Sequence, residues 1–349
     1  MTQKSERTAL AFMAMLIGSL VGTASYWPPT GQTASPKAVL DQSPSASIDT
    51  VAGTSSRFLP RKARGSEALL DVIDVARPDA GHLSYPVNSA ADLARAFNRM
   101  GYDLDSIGAG QADVPRVFLA SMPEDIDTVS EARKRKRLFF KTVLPLVLQI
   151  NEEIAADRRR LNELVTVGKR GEKIAPADRL WLIVMAERYK TKRGDLKTLL
   201  KRVDVIPPSI ALAQAAEESG WGTSRFVREG NAMFGQWTWS KVTDGIVPNG
   251  RDEGKTHKIK AFDSLLHSVR AYARNLNTHR AYQPLRDRRS QLRNTGKALD
   301  GMKLADQLTR YSARGEQYVK TLRTIIGVNK LRRFDDARLI TSPEKRPVI

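Results

Sequence analysis

The segment Glu218-Ser219-Gly220-Trp221-Gly222 contains the residue of this chain best suited to acid catalysis. Its glutamate ends an alanine-rich stretch and stands directly before a turn made of two glycines and a tryptophan. A carboxylic acid placed at the end of a helix can donate a proton to a leaving group, provided that its surroundings keep it protonated. Because cleavage of a glycosidic bond needs such a donor, we treat this segment as a candidate site for that reaction.

The helix that leads to this acid is expected to run from about Pro208 to Ser219. Pro207 and Pro208 fix its first turn, and the alanines that follow have the highest intrinsic helix propensity. Gly220 and Gly222 can end the helix because glycine adopts positive φ angles without strain. The sequence therefore predicts that the acid lies in the last turn.

Small side chains surround Glu218 on this predicted helix. Ala211 and Ala215 lie on the same side as Glu218, whereas Glu217 points about 100° away, together with Gln214. Small neighbours let other elements pack closely enough to remove water from the carboxyl. Desolvation raises the pKa of a carboxyl group, and a general acid needs a raised pKa to hold its proton near neutral pH.

The remaining periodicity predicts a mainly α-helical fold with a small β-hairpin lobe. Residues from Tyr85 to Val203 have helical spacing, and the segment from Glu131 to Val165 carries one apolar stripe with Pro145 expected to kink it. Thr238 to Phe262 differs, because a Pro-Asn-Gly turn precedes residues of alternating polarity. That pattern is typical of a hairpin.

The N-terminal region has the layout of an export signal. An uncharged run from Thr8 to Trp27 follows Lys4 and Arg7. Residues 1–27 therefore predict either a signal peptide or a membrane anchor, with possible association with the inner membrane. Residues 28–80 are rich in Pro, Ser, Thr and Ala over much of their length and predict a flexible spacer. The expected location is the periplasm or cell envelope.

The formal net charge of +19 predicts polyanionic partners. Nucleic acid, anionic lipid and acidic cell-wall polymer would all fit, but export removes most of the case for nucleic acid, and no recognised nucleic-acid motif is present. The basic residues occur in bursts, among them Lys134 to Arg137 and Arg286 to Arg289. Each burst by itself is most simply interpreted as a solvated helix face.

Neither a metal nor another cofactor is expected. The chain has no cysteine, which excludes disulfides, a thiol nucleophile and cysteine-ligated metals. Its four histidines are His82, His257, His267 and His279, and no two of them have the spacing of a paired-histidine helical motif.

The string from Ala215 to Gly222, followed by Asn231 to Trp237, resembles the endo-β-N-acetylglucosaminidases of glycoside hydrolase family 73, which are lysozyme-like peptidoglycan hydrolases. More closely, the chain resembles the Bax-type bacterial glucosaminidases. The resemblance covers most of the region from Asp113 to Leu339. Its further segments are Pro115–Leu119, Leu144–Leu146, Asn275–Thr278, Ala281-Tyr282, Tyr311-Ser312, Gly315 and Tyr318.

This resemblance implies roles for several residues. The general acid of the family falls on Glu218, and a tyrosine that lies near the family's cleft falls on Tyr311. Tyr282 matches an aromatic residue of the substrate groove. The resemblance also implies substrate contacts for the aromatic residues of the motif strings, which are Trp221, Phe234 and Trp237.

Some members of the family carry a second carboxylate on a mobile hairpin. Glu253 is the best-placed candidate here, with Asp252 and Asp244 behind it. The reaction could end in two ways, since either such a carboxylate activates water or the substrate's own N-acetyl oxygen attacks the sugar ring.

The implied function is hydrolysis of the β-1,4 bond after N-acetylglucosamine in peptidoglycan glycan strands, by a lysozyme-like domain. The alternatives are a muramidase or lytic transglycosylase, which would cut the adjacent bond, and a non-catalytic wall-binding scaffold. The expected domains are a helical N-terminal region over residues 81–203, a glucosaminidase-like catalytic domain over 204–340, and a tail over 341–349.

Overall fold

The computed structural model describes residues 89–239, 243–249 and 254–341, all of which belong to one compact unit. The expected signal or anchor, the spacer, the tail beyond Thr341 and the candidate carboxylates Asp252 and Glu253 lie outside the described residues. The domain boundary expected at residue 204 stays a prediction. Within the described ranges, no helix combines the length and the apolar character that crossing a membrane requires.

A long central helix organises the first half of the described chain. It is α3, Ala132–Lys169, and it continues through Pro145. All residues from Leu138 to Ile150 are buried, because this part of α3 packs against helices on several sides. The sequence predicted one apolar stripe, but in this part of α3 all faces of the helix are buried. The other helices of this half are α1 Ala90–Arg99, α2 Leu104–Gly108, α4 Pro176–Arg188 and α5 Leu196–Arg202, with a 3-10 turn at Ile126–Thr128.

The helix that carries the candidate acid is α6, Pro208–Ser219, and the bounds expected from the sequence are confirmed. Every residue from Pro208 to Ala216 is buried. The elements packed around α6 are α3, two of the later helices and a C-terminal 3-10 turn. The later elements are α7 Arg225–Gly230, α8 Leu265–Thr278, α9 Gln283–Asn294, α10 Gly301–Ala305 and α11 Glu316–Val328, with 3-10 turns at Arg280–Tyr282 and Leu331–Phe334.

A carboxylate from the distant C-terminal region fixes the start of α6. The backbone N–H and the hydroxyl of Ser209 donate to Asp335 at 2.8 and 2.9 Å. The N–H of Gly301 donates to the same carboxylate at 3.1 Å. A Cβ atom on Gly301 would lie 1.9 Å from the hydroxyl of Ser209, so this close approach requires glycine. A negative charge at a helix N-terminus is also favourable, and α6 is thereby held at the end opposite its acid.

The small β element is a three-stranded antiparallel sheet, which confirms a mainly α fold with a small β lobe. Its strands are β1 Trp237–Thr238, β2 Gly245–Ile246 and β3 Lys258–Lys260, in the order β1-β3-β2. The sequence predicted a simple hairpin, but β1 pairs with the second edge of β3 and adds a strand. We call residues 237–260 the β lobe.

Candidate active site

A turn of three residues with positive φ ends α6. Gly220, Trp221 and Gly222 have φ angles of 58°, 63° and 82°. Two of these positions need glycine for backbone reasons. At Gly222 a second reason applies, because a Cβ atom would lie 2.9 Å from the Met122 methyl group and 3.2 Å from the Phe139 ring. The turn can therefore pack tightly against the helical body.

The serine of the motif holds this turn in place. The hydroxyl of Ser219 donates to the carbonyl of Ala215 and accepts the N–H of Gly222 at 2.9 Å. The N–H of Ser224 donates to the carbonyl of Ser219 at 3.0 Å. These bonds satisfy groups that a helix end leaves unpaired. They also fix the backbone around Ser219, the residue that follows Glu218. The direction of the Glu218 side chain is fixed as a result.

The carboxyl of Glu218 is desolvated, although the residue as a whole is only half-buried. Tyr318 donates its hydroxyl to Oε1 of Glu218 at 2.8 Å. Burial raises the pKa of Glu218 to about 7, and the charge of Glu217 adds to the rise, while the Tyr318 bond and the charge of Arg314 oppose it. A substantial fraction of the acid thus keeps its proton at neutral pH, as the small alanines led us to expect.

Three buried polar side chains form a chain of hydrogen bonds that ends at Glu218. We call Tyr272, Gln214 and Tyr318 the relay. The hydroxyl of Tyr272 donates to Oε1 of Gln214 at 2.7 Å, and Nε2 of Gln214 donates to the hydroxyl of Tyr318 at 3.0 Å. Tyr318 then donates to Glu218. All three supporting side chains are buried, and each has partners. A fully paired buried network of this kind rigidifies the group at its end.

Gln214 is a residue whose connection to the acid we missed in the sequence. Helix geometry places it on the side of Glu217, yet the structure links it to Glu218 through Tyr318. Its spacing of four residues from Glu218 is the signal that could have revealed this, because side chains four apart on a helix are neighbours. Tyr272 gave no comparable signal, and Tyr318 stood in the family resemblance without a role.

The two adjacent glutamates have different environments. Glu217 forms an ion pair with the guanidinium of Arg314, and both side chains are about one-fifth exposed, at 22% and 21%. The guanidinium of Arg314 also lies 5.5 Å from the centre of the Tyr318 ring. Glu217 therefore has a cationic partner, whereas Glu218 faces a tyrosine hydroxyl.

Two further tyrosines predicted for the site lie beside the acid. The ring of Tyr311 stacks on Tyr318, with centroids 5.4 Å apart, and Tyr282 follows at 5.5 Å from Tyr311. Burial raises the pKa of both hydroxyl groups, and the negative charge of Glu218 raises them further. The hydroxyls therefore stay protonated and can serve as hydrogen-bond donors. The structure thus brings Glu218, Tyr282 and Tyr311 together.

Two of the aromatic residues that were predicted to contact substrate pack against the helical body. Trp221 touches Phe140, with ring centroids 5.4 Å apart, and the ammonium of Lys136 lies 4.4 Å above its ring. Phe234 is 3% exposed and stacks on Tyr272 at 3.8 Å. This burial argues against the sugar contact predicted for Phe234, whose ring supports the tyrosine of the relay. Sugar contact by Trp221 stays a prediction.

The β lobe carries a separate aromatic surface. Trp237 stacks on His257, with centroids 4.2 Å apart, and Trp239 lies 5.7 Å from Trp237. The side chain of Trp239 is 61% exposed, which is unusual for so large an apolar group. We had not singled out Trp239 in the sequence. Its spacing of two residues from Trp237 was the available signal, since alternate residues of a strand share a face.

The second carboxylate is not identified. Glu253 and Asp252 lie outside the described residues, and the remaining candidate, Asp244, is exposed and accepts the N–H of Ala261 through its backbone carbonyl at 3.0 Å. A role for any of the three stays a prediction. Within residues 89–239, 243–249 and 254–341, no three histidine or acidic side chains come together as a metal site would need.

Known proteins are similar to the region that contains this site. Residues 194–331 match the glucosaminidase family, described as mannosyl-glycoprotein endo-beta-N-acetylglucosaminidase. The chain is 37% identical over 205 residues to protein Bax of Escherichia coli K12, covering 57% of this chain and 71% of that protein. No solved structure matches the chain significantly. The chain therefore belongs to the Bax-type glucosaminidase family.

Proposed function

We propose that this protein is a glycoside hydrolase that cleaves the β-1,4 bond after N-acetylglucosamine in the glycan strands of peptidoglycan, with Glu218 as the general acid. Membership in a glucosaminidase family supports this class of reaction. The single observation that carries the assignment is the desolvated carboxyl at the end of α6, which Tyr318 orients and whose pKa burial raises to about 7. A general acid works best when its pKa lies near the working pH.

The direction of the hydrogen bonds determines which oxygen of Glu218 carries the proton. Tyr318 accepts from Gln214, and its own hydrogen points to Oε1 of Glu218. An oxygen that accepts this bond is best left unprotonated, which places the acidic proton on Oε2. Oε2 would then donate to the glycosidic oxygen as positive charge develops in the sugar ring. Tyr318 would act as a positioning residue for this transfer.

We further propose that the N-acetyl oxygen of the substrate attacks the ring, without a second carboxylate from the protein. Among the described residues, Glu217 is the carboxylate whose charge raises the pKa of Glu218, and it is tied to Arg314. The hydroxyls of Tyr282 and Tyr311 lie close enough to sense the charge of Glu218 and could hold the acetamido group. Near-normal turnover after Glu253→Gln would support this route, and a loss comparable to that of a Glu218 variant would contradict it.

The proposed substrate lies outside the cytoplasm, so we also propose that residues 1–27 direct export to the periplasm or cell envelope. The support is the uncharged run that follows Lys4 and Arg7. A reporter enzyme that is active only outside the cytoplasm, fused after residue 80, should be active. A reporter that stays inactive in the fusion but works with a known export signal would contradict the proposal.

Digestion of purified sacculi tests the function directly. The wild-type protein should release fragments that carry N-acetylglucosamine at the reducing end, as identified by mass spectrometry. Glu218→Gln should lower release by roughly 100-fold or more, because the amide cannot donate the proton. The matched control is Glu217→Gln, which alters the adjacent residue of the same helix and should remain active.

Three outcomes would contradict the proposal. Muramic acid at the reducing end would identify a muramidase, and anhydro-muramic acid would identify a lytic transglycosylase. Binding to sacculi without release of fragments by the wild-type protein would identify a wall-binding scaffold. In each case the same helix end would serve a different purpose.

A further inference from the structure

A basic cleft lies between α2, α3 and the C-terminal 3-10 turn. Its volume is about 400 Å³, and five cationic side chains line it, namely Arg133, Lys136, Arg137, Lys330 and Arg333. Asp105 is the acidic residue in its lining. Like charges placed so close together repel one another, and an anionic ligand would reduce this repulsion.

Two of the five cations are held in place before any ligand arrives. Arg333 donates to Asp105 at 2.8 Å, and its side chain packs on Gly108, where a Cβ atom would lie 2.3 Å from Cδ of the arginine. Arg137 donates to Asp105 at 2.9 Å and to Asp103 at 3.1 Å. The two aspartates thus orient the two guanidinium groups, and a side chain at position 108 would displace one of them.

The other three cations keep their positive charge available. Neither Arg133 nor Lys330 forms an ion pair with any carboxylate among the residues that the structure describes. Lys136 instead lies over the ring of Trp221. Lys330 adopts a left-handed backbone with φ of 52°, which is uncommon outside glycine and asparagine and holds its side chain at the edge of the cleft. The cleft therefore has an excess of positive charge.

The rest of the lining is apolar. Leu104, Phe140 and Phe334 are buried and form the floor, and Val328 at the rim is 73% exposed. A small inorganic anion would gain nothing from this surface. A peptide that combines carboxylates with short aliphatic side chains would contact both kinds of lining.

The cleft is joined to the turn that follows the catalytic helix. Lys136 and Phe140 line the cleft, and both also contact the ring of Trp221, at 4.4 and 5.4 Å. Trp221 is three residues after Glu218. A ligand in the cleft could therefore belong to the same molecule as a glycan strand bound at the acid.

We propose that the basic cleft binds the carboxylates of the peptide stems attached to the glycan strand. This inference rests on the proposed function, because it takes peptidoglycan as the substrate. Arg133 and Lys330 would pair with the stem carboxylates, and Val328 would contact the aliphatic side chains of the stem. The cleft would then favour strands that still carry peptides over strands from which an amidase has removed them.

Binding of a synthetic stem peptide tests this without relying on cleavage. Titration monitored by tryptophan fluorescence should show binding to the wild-type protein, since Trp221 borders the cleft. The double variant Arg133→Gln with Lys330→Asn should bind roughly fivefold more weakly, as expected for two exposed ion pairs. The double variant Lys297→Gln with Lys320→Gln removes the same charge from exposed residues that do not line the cleft, and should bind like the wild type.

A cleavage assay supplies the second arm. The wild type should cleave peptide-bearing strands with a lower KM than peptide-free strands, and the cleft variant should lose this difference while its rate on peptide-free strands stays unchanged. If neither strand is cleaved but the peptide still binds, the proposed function fails and the cleft remains a peptide site.

Four results would overturn the inference. Two concern the ligand: the wild type binds the peptide with amidated carboxyls as tightly as the stem peptide, or it binds inorganic phosphate as tightly. Two concern the variants: the cleft and control variants lose the same affinity, or the cleft variant binds the peptide as tightly as the wild type.

Discussion

The surroundings of Glu218 and the β lobe differ in how firmly they hold their functional side chains. Around Glu218, the side chains of Gln214, Tyr272 and Tyr318 are buried and paired with one another. The β lobe has strands of only two or three residues and a separate small apolar cluster. Glu218 thus lies on the packed helical body. The exposed aromatic surface lies on the β lobe, which has fewer buried contacts to support it.

The polar groups of the two regions show the same contrast. In the relay, the hydroxyls of Tyr272 and Tyr318 and the side-chain amide of Gln214 each donate to an acceptor. In the lobe, the indole N–H of Trp237 is buried and has no hydrogen-bond partner among the residues that the structure describes. A buried unpaired donor costs about 1–3 kcal/mol, so the Trp237 indole is less well satisfied than the side chains of the relay. On the proposed function, we expect the body to perform the proton transfer and the lobe to bind the substrate.

Shortening the acid should have the largest effect on activity. Glu218→Asp keeps the carboxyl but withdraws it from Tyr318 by about one bond length, and a misplacement of about 1 Å can lower catalysis about 100-fold. We expect kcat for fragment release to fall to that extent with KM unchanged. Circular dichroism should show an intact fold. Activity within threefold of the wild type would contradict rigid placement of the acid.

Removing the buried charge should change stability in a pH-dependent way. The pKa of Glu218 is about 7 in the folded chain, against 4.5 as the ordinary value. The folded state therefore binds the proton more tightly, and its stability falls as pH rises from about 4.5 through 7. Glu218→Gln should be more stable than the wild type by up to about 3 kcal/mol at pH 8, and equally stable at pH 4.

Urea unfolding at the two pH values measures this difference. The matched variant in the lobe is Trp239→Ala, which should leave stability unchanged at both values because the side chain is 61% exposed. A Glu218→Gln difference that is the same at both pH values would show that the carboxyl is not desolvated.

Removing one hydroxyl should loosen the acid. Tyr318→Phe removes the donor to Glu218 and the acceptor for Gln214. We expect kcat to fall roughly tenfold, and the free energy of unfolding to fall by about 1–3 kcal/mol because the Gln214 amide loses its acceptor. The fall of activity at alkaline pH should move to higher pH, because the Tyr318 bond lowers the pKa of Glu218. A change in stability with unchanged kcat and pH profile would assign Tyr318 a purely structural role.

A change in the lobe should affect binding alone. Trp239→Ala removes an exposed ring that could stack on a sugar, and we expect KM for glycan strands to rise roughly threefold to tenfold while kcat stays the same. Trp239→Phe keeps a ring and should restore most of the affinity. A fall in kcat with constant KM would mean that the lobe takes part in the chemistry, and would contradict this division of roles.

The smallest effects should come from the charges beside the acid. The charge of Glu217 raises the pKa of Glu218, and that of Arg314 lowers it. Glu217→Gln should therefore move the alkaline fall of activity to lower pH, and Arg314→Gln should move it to higher pH. The measurement is kcat/KM against pH. Shifts in the same direction would contradict this electrostatic arrangement.

The sequence predicted those parts of the site that depend on neighbouring residues. The bounds of α6, its terminating glycines and the raised pKa of its acid all followed from local composition. The partners Tyr272 and Tyr318 did not follow, because they lie 58 and 104 residues from Gln214 and reach it only through the packing of α8 and α11 on the rest of the body.

Charge bursts could not be interpreted from the sequence alone. The burst from Arg286 to Arg289 was expected to be a solvated face, but Arg289 is 1% exposed and donates to the carbonyls of Asp204 and Val205. In the burst from Lys134 to Arg137, Lys136 and Arg137 line the basic cleft, whereas Lys134 is exposed, as expected. The position of a charged residue on its helix decided each case, and that position depends on which other elements pack against the helix.

Direct titration of Glu218 tests the central claim most closely. With glutamate carboxyls labelled with carbon-13, NMR spectra of the wild type and of Glu218→Gln identify the resonance of this one group. We expect a resonance that titrates near pH 7 in the wild type and is missing from the variant. A Glu218 resonance that titrates near its ordinary value of 4.5 would show a solvated carboxylate, and would contradict its assignment as the proton donor.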